Sequence, residues 1–186
     1  MLKFARKHRP QVWKGLVAGM AGGLAGTIVM SQFQNGWQKA SKALKAEGNG
    51  GSANEESRKH SEQENEDATM KAAGKVAEAG GYRLSYEQKK RASPFVHYGF
   101  GTAMGAVYGV LREVAPKSVR RMHPVVAGAR LWGALFVGAD EIAVPAFGLS
   151  GSPKETPVSA HVDGFASHAV YGLTGEMVLR TVRNYL

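Results

Sequence analysis

Charge and apolarity are segregated along this chain. Gly15 to Phe33 carries no formal charge, a run close to the roughly 20 residues a helix needs to cross a hydrocarbon core. Residues 1–14 before it hold Lys3, Arg6, Lys7, Arg9 and Lys14 and no acid. A cleaved signal peptide is the rival reading, but the run is long for one and no A-x-A site follows. The expectation is a retained first transmembrane helix over residues 15–34. Trp37, Ala40 and Leu44 continue its apolar stripe at helical spacing, with Trp37 suited to an interface.

Residues 35–93 read as a polar loop, partly helical or disordered. Gly48-Asn49-Gly50-Gly51 is a break. Glu55 to Asp67 is mixed in charge and low in complexity, a solvated helix or disorder. Ala68 to Ala79 is Ala-rich and predicted helical, stopped by Gly80-Gly81.

Residues 94–186 read as a three-helix membrane region. Its first span, Pro94 to Leu111, is expected to carry Pro94 in the first helical turn, where a missing N–H matters least. Arg112-Glu113 and Pro116 end it. The next, Pro124 to Leu149, is interrupted by Arg130, Asp140 and Glu141, and the last, Val158 to Leu179, holds His161, Asp163, His168 and Glu176. These two are too polar to face lipid all round. They read as helices of a bundle interior, or as parts of a soluble helical domain anchored by the first helix. The fold class is all-α: a polytopic membrane bundle of about four Gly-rich transmembrane helices with one long polar loop.

Composition sharpens this pattern. The 24 glycines concentrate in the uncharged runs. Interior Gly costs a soluble helix roughly 0.5–1 kcal/mol against Ala, but small residues let helices approach closely in lipid. Gly15, Gly19 and Gly23 are four apart, as are Gly22 and Gly26, and Gly101, Gly105 and Gly109 repeat that interval. Gly19, Gly23, Gly101, Gly105 and Gly109 are therefore the predicted helix-packing residues, within one chain or between protomers. A loose G-x-G-x-x-G likeness near Gly19 has no strand before it, so nucleotide binding is set aside.

The net charge of +9 reads as membrane-flanking Lys and Arg rather than a nucleic-acid surface, because no basic-aromatic recognition motif accompanies it. Four spans place both ends on one side with Lys117, Arg120, Arg121, Arg180 and Arg183, the cytoplasmic side by the positive-inside rule. The absence of Cys excludes disulfides, thiolate metal sites and a Cys nucleophile.

The candidate chemistry is polar and intramembrane: Arg130, Asp140, Glu141, His161 and His168. Arg130 and Glu141 are expected to share a helix face about three turns apart, with Pro145 removing the helical donor to the Glu141 carbonyl. His161 and His168, seven apart, share a face with Gly164, Phe165 and Gly172, and Asp163 points elsewhere. Buried charges in a membrane pair with partners or meet water. Two readings stay open: a proton or ion path, and an ion-pair and hydrogen-bond set joining helices. Glu141 with both histidines could ligate a metal, but the spacing lacks H-E-x-x-H, and no metal or other cofactor is expected. His97 reads as an interfacial or packing residue. No Ser, His and acid set assembles, so no enzymatic activity is expected.

Phe95 to Leu186 resembles the YagU-like family of small bacterial inner-membrane proteins. The matching text is His97-Tyr98-Gly99-Phe100-Gly101, Val107-Tyr108-Gly109, Ala115-Pro116 and Leu131-Trp132-Gly133. It continues with Val144-Pro145-Ala146-Phe147-Gly148-Leu149, Ser167-His168-Ala169-Val170-Tyr171-Gly172 and the basic tail. The first span corresponds only in position, and the polar loop departs as an insertion. The resemblance implies a multi-pass inner-membrane protein with a link to acid tolerance, and it supplies no active-site residues. The expected partner is the lipid bilayer, with a homo-oligomer or a subunit of a membrane complex left open and no nucleic acid. The expected role is structural, accessory or assembly through Gly-mediated packing; the alternative is proton or ion handling.

Overall fold

A computed structural model describes residues 10–48, 66–151, 154 and 156–186. The basic residues Lys3 to Arg9 and nearly all of the break and mixed-charge run, Asn49 to Asn65, lie outside the described residues. The described residues are all-helical, with no strand among them. Helix α1 is Val12–Gly48, α2 is Ala68–Ala79 and α3 is Tyr86–Val114. A short α4, Lys117–Arg120, turns the chain into α5, Pro124–Leu135. A π-helical segment, Phe136–Ala143, extends α5 into the single turn α6, Val144–Ala146, and α7 is Val158–Tyr185.

Among the described residues, one helix is long and apolar enough to cross a membrane: α1, over the 32 residues Val12–Ala43. Helix α1 does not stop at Phe33 but runs on past Trp37 to Gly48. Helix α2 occupies the Ala-rich stretch, with Asp67 capping its start through Met70 N and Gly81 in the left-handed region (φ 83°) after its end.

Pro94 is a correction: it lies inside α3, not in its first turn. The helix starts at a capping box, Ser85 bonding Gln88 N while the Gln88 side chain reaches back to Ser85 N, which satisfies end donors more directly than a proline does.

Helices α1, α3, α5 and α7 run alternately up and down. Helix α1 packs along both α3 and α7, and α7 also packs along α5. These three contacts share one device. Gly15, Gly19 and Gly23 pair off antiparallel with Gly109, Gly105 and Gly101, and a Cβ on any of them would fall within 3.0 Å of the facing helix. Gly22 and Gly26, on another face of α1, meet the carbonyls of Gly175 and Tyr171 on α7. Gly128 of α5 faces Gly172 of α7. A four-residue interval keeps the missing side chains on one helix face, so backbones touch along a line. All five predicted packing glycines sit in the α1–α3 contact, within a single chain.

The α3–α5 side of the bundle has no such line. Large side chains fill it instead: Met30, Leu131 and Tyr171 form the buried core cluster, with Tyr108 and Leu135 packed against it.

Burial is inverted relative to a water-soluble bundle. The largest fully buried side chains are Glu176, Thr27 and Ser167, whereas Leu16, Leu24, Ile28, Val107, Leu111 and Phe165 are exposed.

Placing a side chain in the glycine line should force the helices apart. Gly105→Leu should destabilise the fold by about 1–3 kcal/mol or more, read as a lower midpoint of thermal unfolding in detergent. Gly99→Leu, in open space on the same helix, should leave that midpoint within a degree or two. Equal midpoints would refute the packing role.

Candidate functional site

Two polar layers lie at opposite ends of the bundle. The first gathers where α1 begins and α3 and α7 end. Wholly buried Glu176 accepts from the Tyr108 hydroxyl at 2.9 Å, from Arg180 Nε, and in a short contact from Arg112. Arg112 also donates to the Arg120 carbonyl at 3.0 Å, and Arg180 to the Met122 carbonyl. Those bonds tie the turn between α3 and α5 to the end of α7. Beside them, Glu113 accepts both Arg183 nitrogens at 3.0 and 2.9 Å and Gln11 N at 3.1 Å. The hydrogen bond to Glu113 holds the Arg183 guanidinium, at the very end of α7, above its ordinary pKa. A buried carboxylate survives only when its charge and lone pairs are met, and Glu176 has three donors.

The second layer lies at the far end, on the π-helical segment and the start of α7. Glu141 Oε1 is 2.8 Å from His161 Nδ1, and Asp140 Oδ2 is 3.2 Å from His168 Nδ1, which also lies 2.9 Å from the Gly164 carbonyl. The shared face of His161 and His168 is thus turned to the π-helical segment. The same face packs on α5, with Phe165 against Trp132 at 4.2 Å between ring centroids and against Phe136 at 5.6 Å. Asp163 looks to its own helix, accepting from Ser167 at 3.5 Å.

Arg130 departs from expectation. It is exposed, and no ion pair among the described residues includes it. A face shared with Glu141 requires one continuous α-helix. Val144 N donates instead to the Ala139 carbonyl, an i→i+5 bond, immediately before Pro145. Each residue added by a wide turn rotates the rest of the helix by about 100°, and that rotation carries Asp140 and Glu141 round to α7.

A cavity of about 280 Å³ adjoins this second layer, between α1, α2, α3, the π-helical segment and α7. Asp140, His168 and His97 line it, together with apolar side chains such as Met30, Phe100 and Met104. Helix α2 contributes Ala68, Thr69 and Ala72 to its wall. That helix is pinned by Thr69 to Ser93 at 2.5 Å, by Lys89 to Glu66 at 2.9 Å, and by Lys75 to the Phe147 carbonyl at 2.6 Å. The polar loop therefore contributes part of the cavity wall. His97 Nε2 and Trp132 Nε1 are buried without a hydrogen-bond partner in the structure. No group of three or more potential ligands capable of holding a metal ion occurs among the described residues.

Glu176, Arg112, Glu113, Arg183 and Tyr108 had no place in the sequence-based site. Arg112-Glu113 and the Arg180–Arg183 tail read there as span ends and flanking charge. A signal was available: opposite charges stood at the ends of two spans that the alternating topology brings to the same side.

Removing the buried carboxylate leaves two guanidinium groups facing each other. Glu176→Ala should cost about 3–5 kcal/mol, measured by detergent-induced unfolding followed by circular dichroism. Arg183→Gln, on a partly exposed pair, should cost about 1 kcal/mol or less. If the two variants unfold alike, Glu176 does not organise this end.

No family model, no curated protein and no solved structure matches the chain.

Proposed function

We propose that the chain is a small multi-pass membrane protein with four crossings, serving a structural or accessory role. The crossings are α1, α3, α5 with its π-helical extension, and α7. The inverted burial carries this reading. In water, each Å² of apolar surface left exposed forgoes roughly 25 cal/mol, and the outward Leu, Ile, Val and Phe side chains form a belt round the bundle. Hydrocarbon removes that penalty and instead favours polar groups that are paired inside. Helices α3 and α7, at 29 and 28 residues, exceed the roughly 20 residues a crossing needs. Their charges gather at the ends or face other helices.

Lys14, Lys117, Arg120, Arg121, Arg180 and Arg183 share one end of the bundle, which supports a cytoplasmic placement of that end. Arg130 stands six residues, about 9 Å, from the start of α5 at that end, so its long side chain reaches the interface by snorkelling. Because the glycine lines are occupied within the chain, a second copy or a partner subunit would associate through the outer apolar belt.

The competing arrangement is a helical domain in water, anchored by α1 alone. Single cysteines at Val107, Val126 and Phe165 separate the two, since the chain has no Cys of its own. In intact membranes these positions should resist a membrane-impermeant maleimide and react after detergent solubilisation with unfolding. Labelling of all three in intact membranes would reject four crossings.

A second reading is proton or ion handling, favoured by the Asp140–His168 and Glu141–His161 pairs beside the cavity. Reconstituted vesicles should then dissipate a pH gradient, and Glu141→Gln or His168→Ala should abolish the leak. Flux no greater than that of empty vesicles leaves the structural role alone.

A further inference from the structure

We propose that the cavity beneath α2 is a binding site for a small amphipathic organic cation, an arylalkyl amine or ammonium. Its wall is mixed in chemistry. Met30, Phe100, Met104, Leu135 and Leu149 make a surface suited to an apolar body. The same lining holds Asp140, the one carboxylate among its described residues, and neither Lys nor Arg joins it there.

Of the other polar groups of the wall, Thr27, Tyr171 and His168 are committed elsewhere, whereas His97 Nε2 is buried without a partner. The Thr27 hydroxyl donates to the Gly23 carbonyl at 2.8 Å, and the Tyr171 hydroxyl to the Gly101 carbonyl at 2.6 Å. The His168 Nδ1 proton is shared between Gly164 and Asp140. Asp140 contacts that imidazole through Oδ2 and keeps about a third of its side chain accessible. A positive group entering the cavity therefore meets a carboxylate only partly neutralised by an imidazole. The rings of Phe100 and Tyr171 in the same wall add faces that attract cations. An anion would meet no fixed positive charge.

The site does not depend on how many helices cross a bilayer, because packed helices form the cavity in either arrangement. Its test and the labelling test therefore fail independently. Benzyltrimethylammonium and its uncharged carbon analogue neopentylbenzene are the probes, titrated calorimetrically into the full chain in detergent against matched empty micelles. The cation should bind saturably at one site, and Asp140→Asn should weaken it about tenfold or more, as loss of a charged partner implies. Neopentylbenzene binding should be unchanged by the same substitution. Ala72→Phe, which fills the cavity from α2 without touching the Asp140–His168 pair, should weaken both probes. It decides the matter if Asp140→Asn fails to fold. Binding no stronger than to micelles, equal cation binding by wild type and Asp140→Asn, or full binding by Ala72→Phe would each overturn the proposal.

Discussion

Where Gly15, Gly19 and Gly23 of α1 meet Gly109, Gly105 and Gly101 of α3, no side chain separates the two helices, and backbone rests on backbone. The same contact recurs between α1 and α7 and between α7 and α5. Apolar burial cannot drive such an association, since glycine has no side chain to bury. Its strength is van der Waals contact over a long, close line, and that line sets the spacing and register of every other contact. The α3–α5 side, without it, is held apart by Tyr108, Leu131 and Leu135, and the cavity opens toward the far end of the same bundle.

Close packing in the middle leaves the charges at the ends. Glu176 and Glu113 join three helix ends and the α3–α5 turn at the basic end. Asp140 and Glu141 join the π-helical segment to α7 at the other. The basic-end cluster is closed, every oxygen facing a donor. The far end is more open: Asp140 is partly accessible, an apolar chamber stands beside it, and α2, packed on α3 through Met70 and Ala73, forms part of its wall.

The glycine interval was legible because it is a local property: a four-residue repeat lies on one helix face whatever the helix meets. The shared face of His161 and His168 was legible for the same reason, since α7 is regular throughout. The α2 helix announced itself through an Ala-rich run between Asp67 and Gly80-Gly81. The face expected to be shared by Arg130 and Glu141 did not form, because the wide helical segment between them alters the phase. Pro94 misled in a similar way: a proline that fits a first turn also fits a helix interior where the neighbouring carbonyl can be left to its surroundings, and the capping box at Ser85 lay nine residues earlier.

By itself the sequence determined that the chain is helical, that its uncharged runs bear glycine faces, and that basic groups collect at one end of an alternating topology. These properties come from periodicity and charge order along single segments. Only the tertiary structure decided which glycines face each other, that they do so within one chain, and which acid meets which base. Glu176 shows why: its partners Tyr108 and Arg112 lie 68 and 64 residues away, and helix-face arithmetic carries no information across such a separation. It also decided that the loop's last helix packs against the far end. Partners and neighbours of that kind are chosen by packing between segments, and no single segment encodes them.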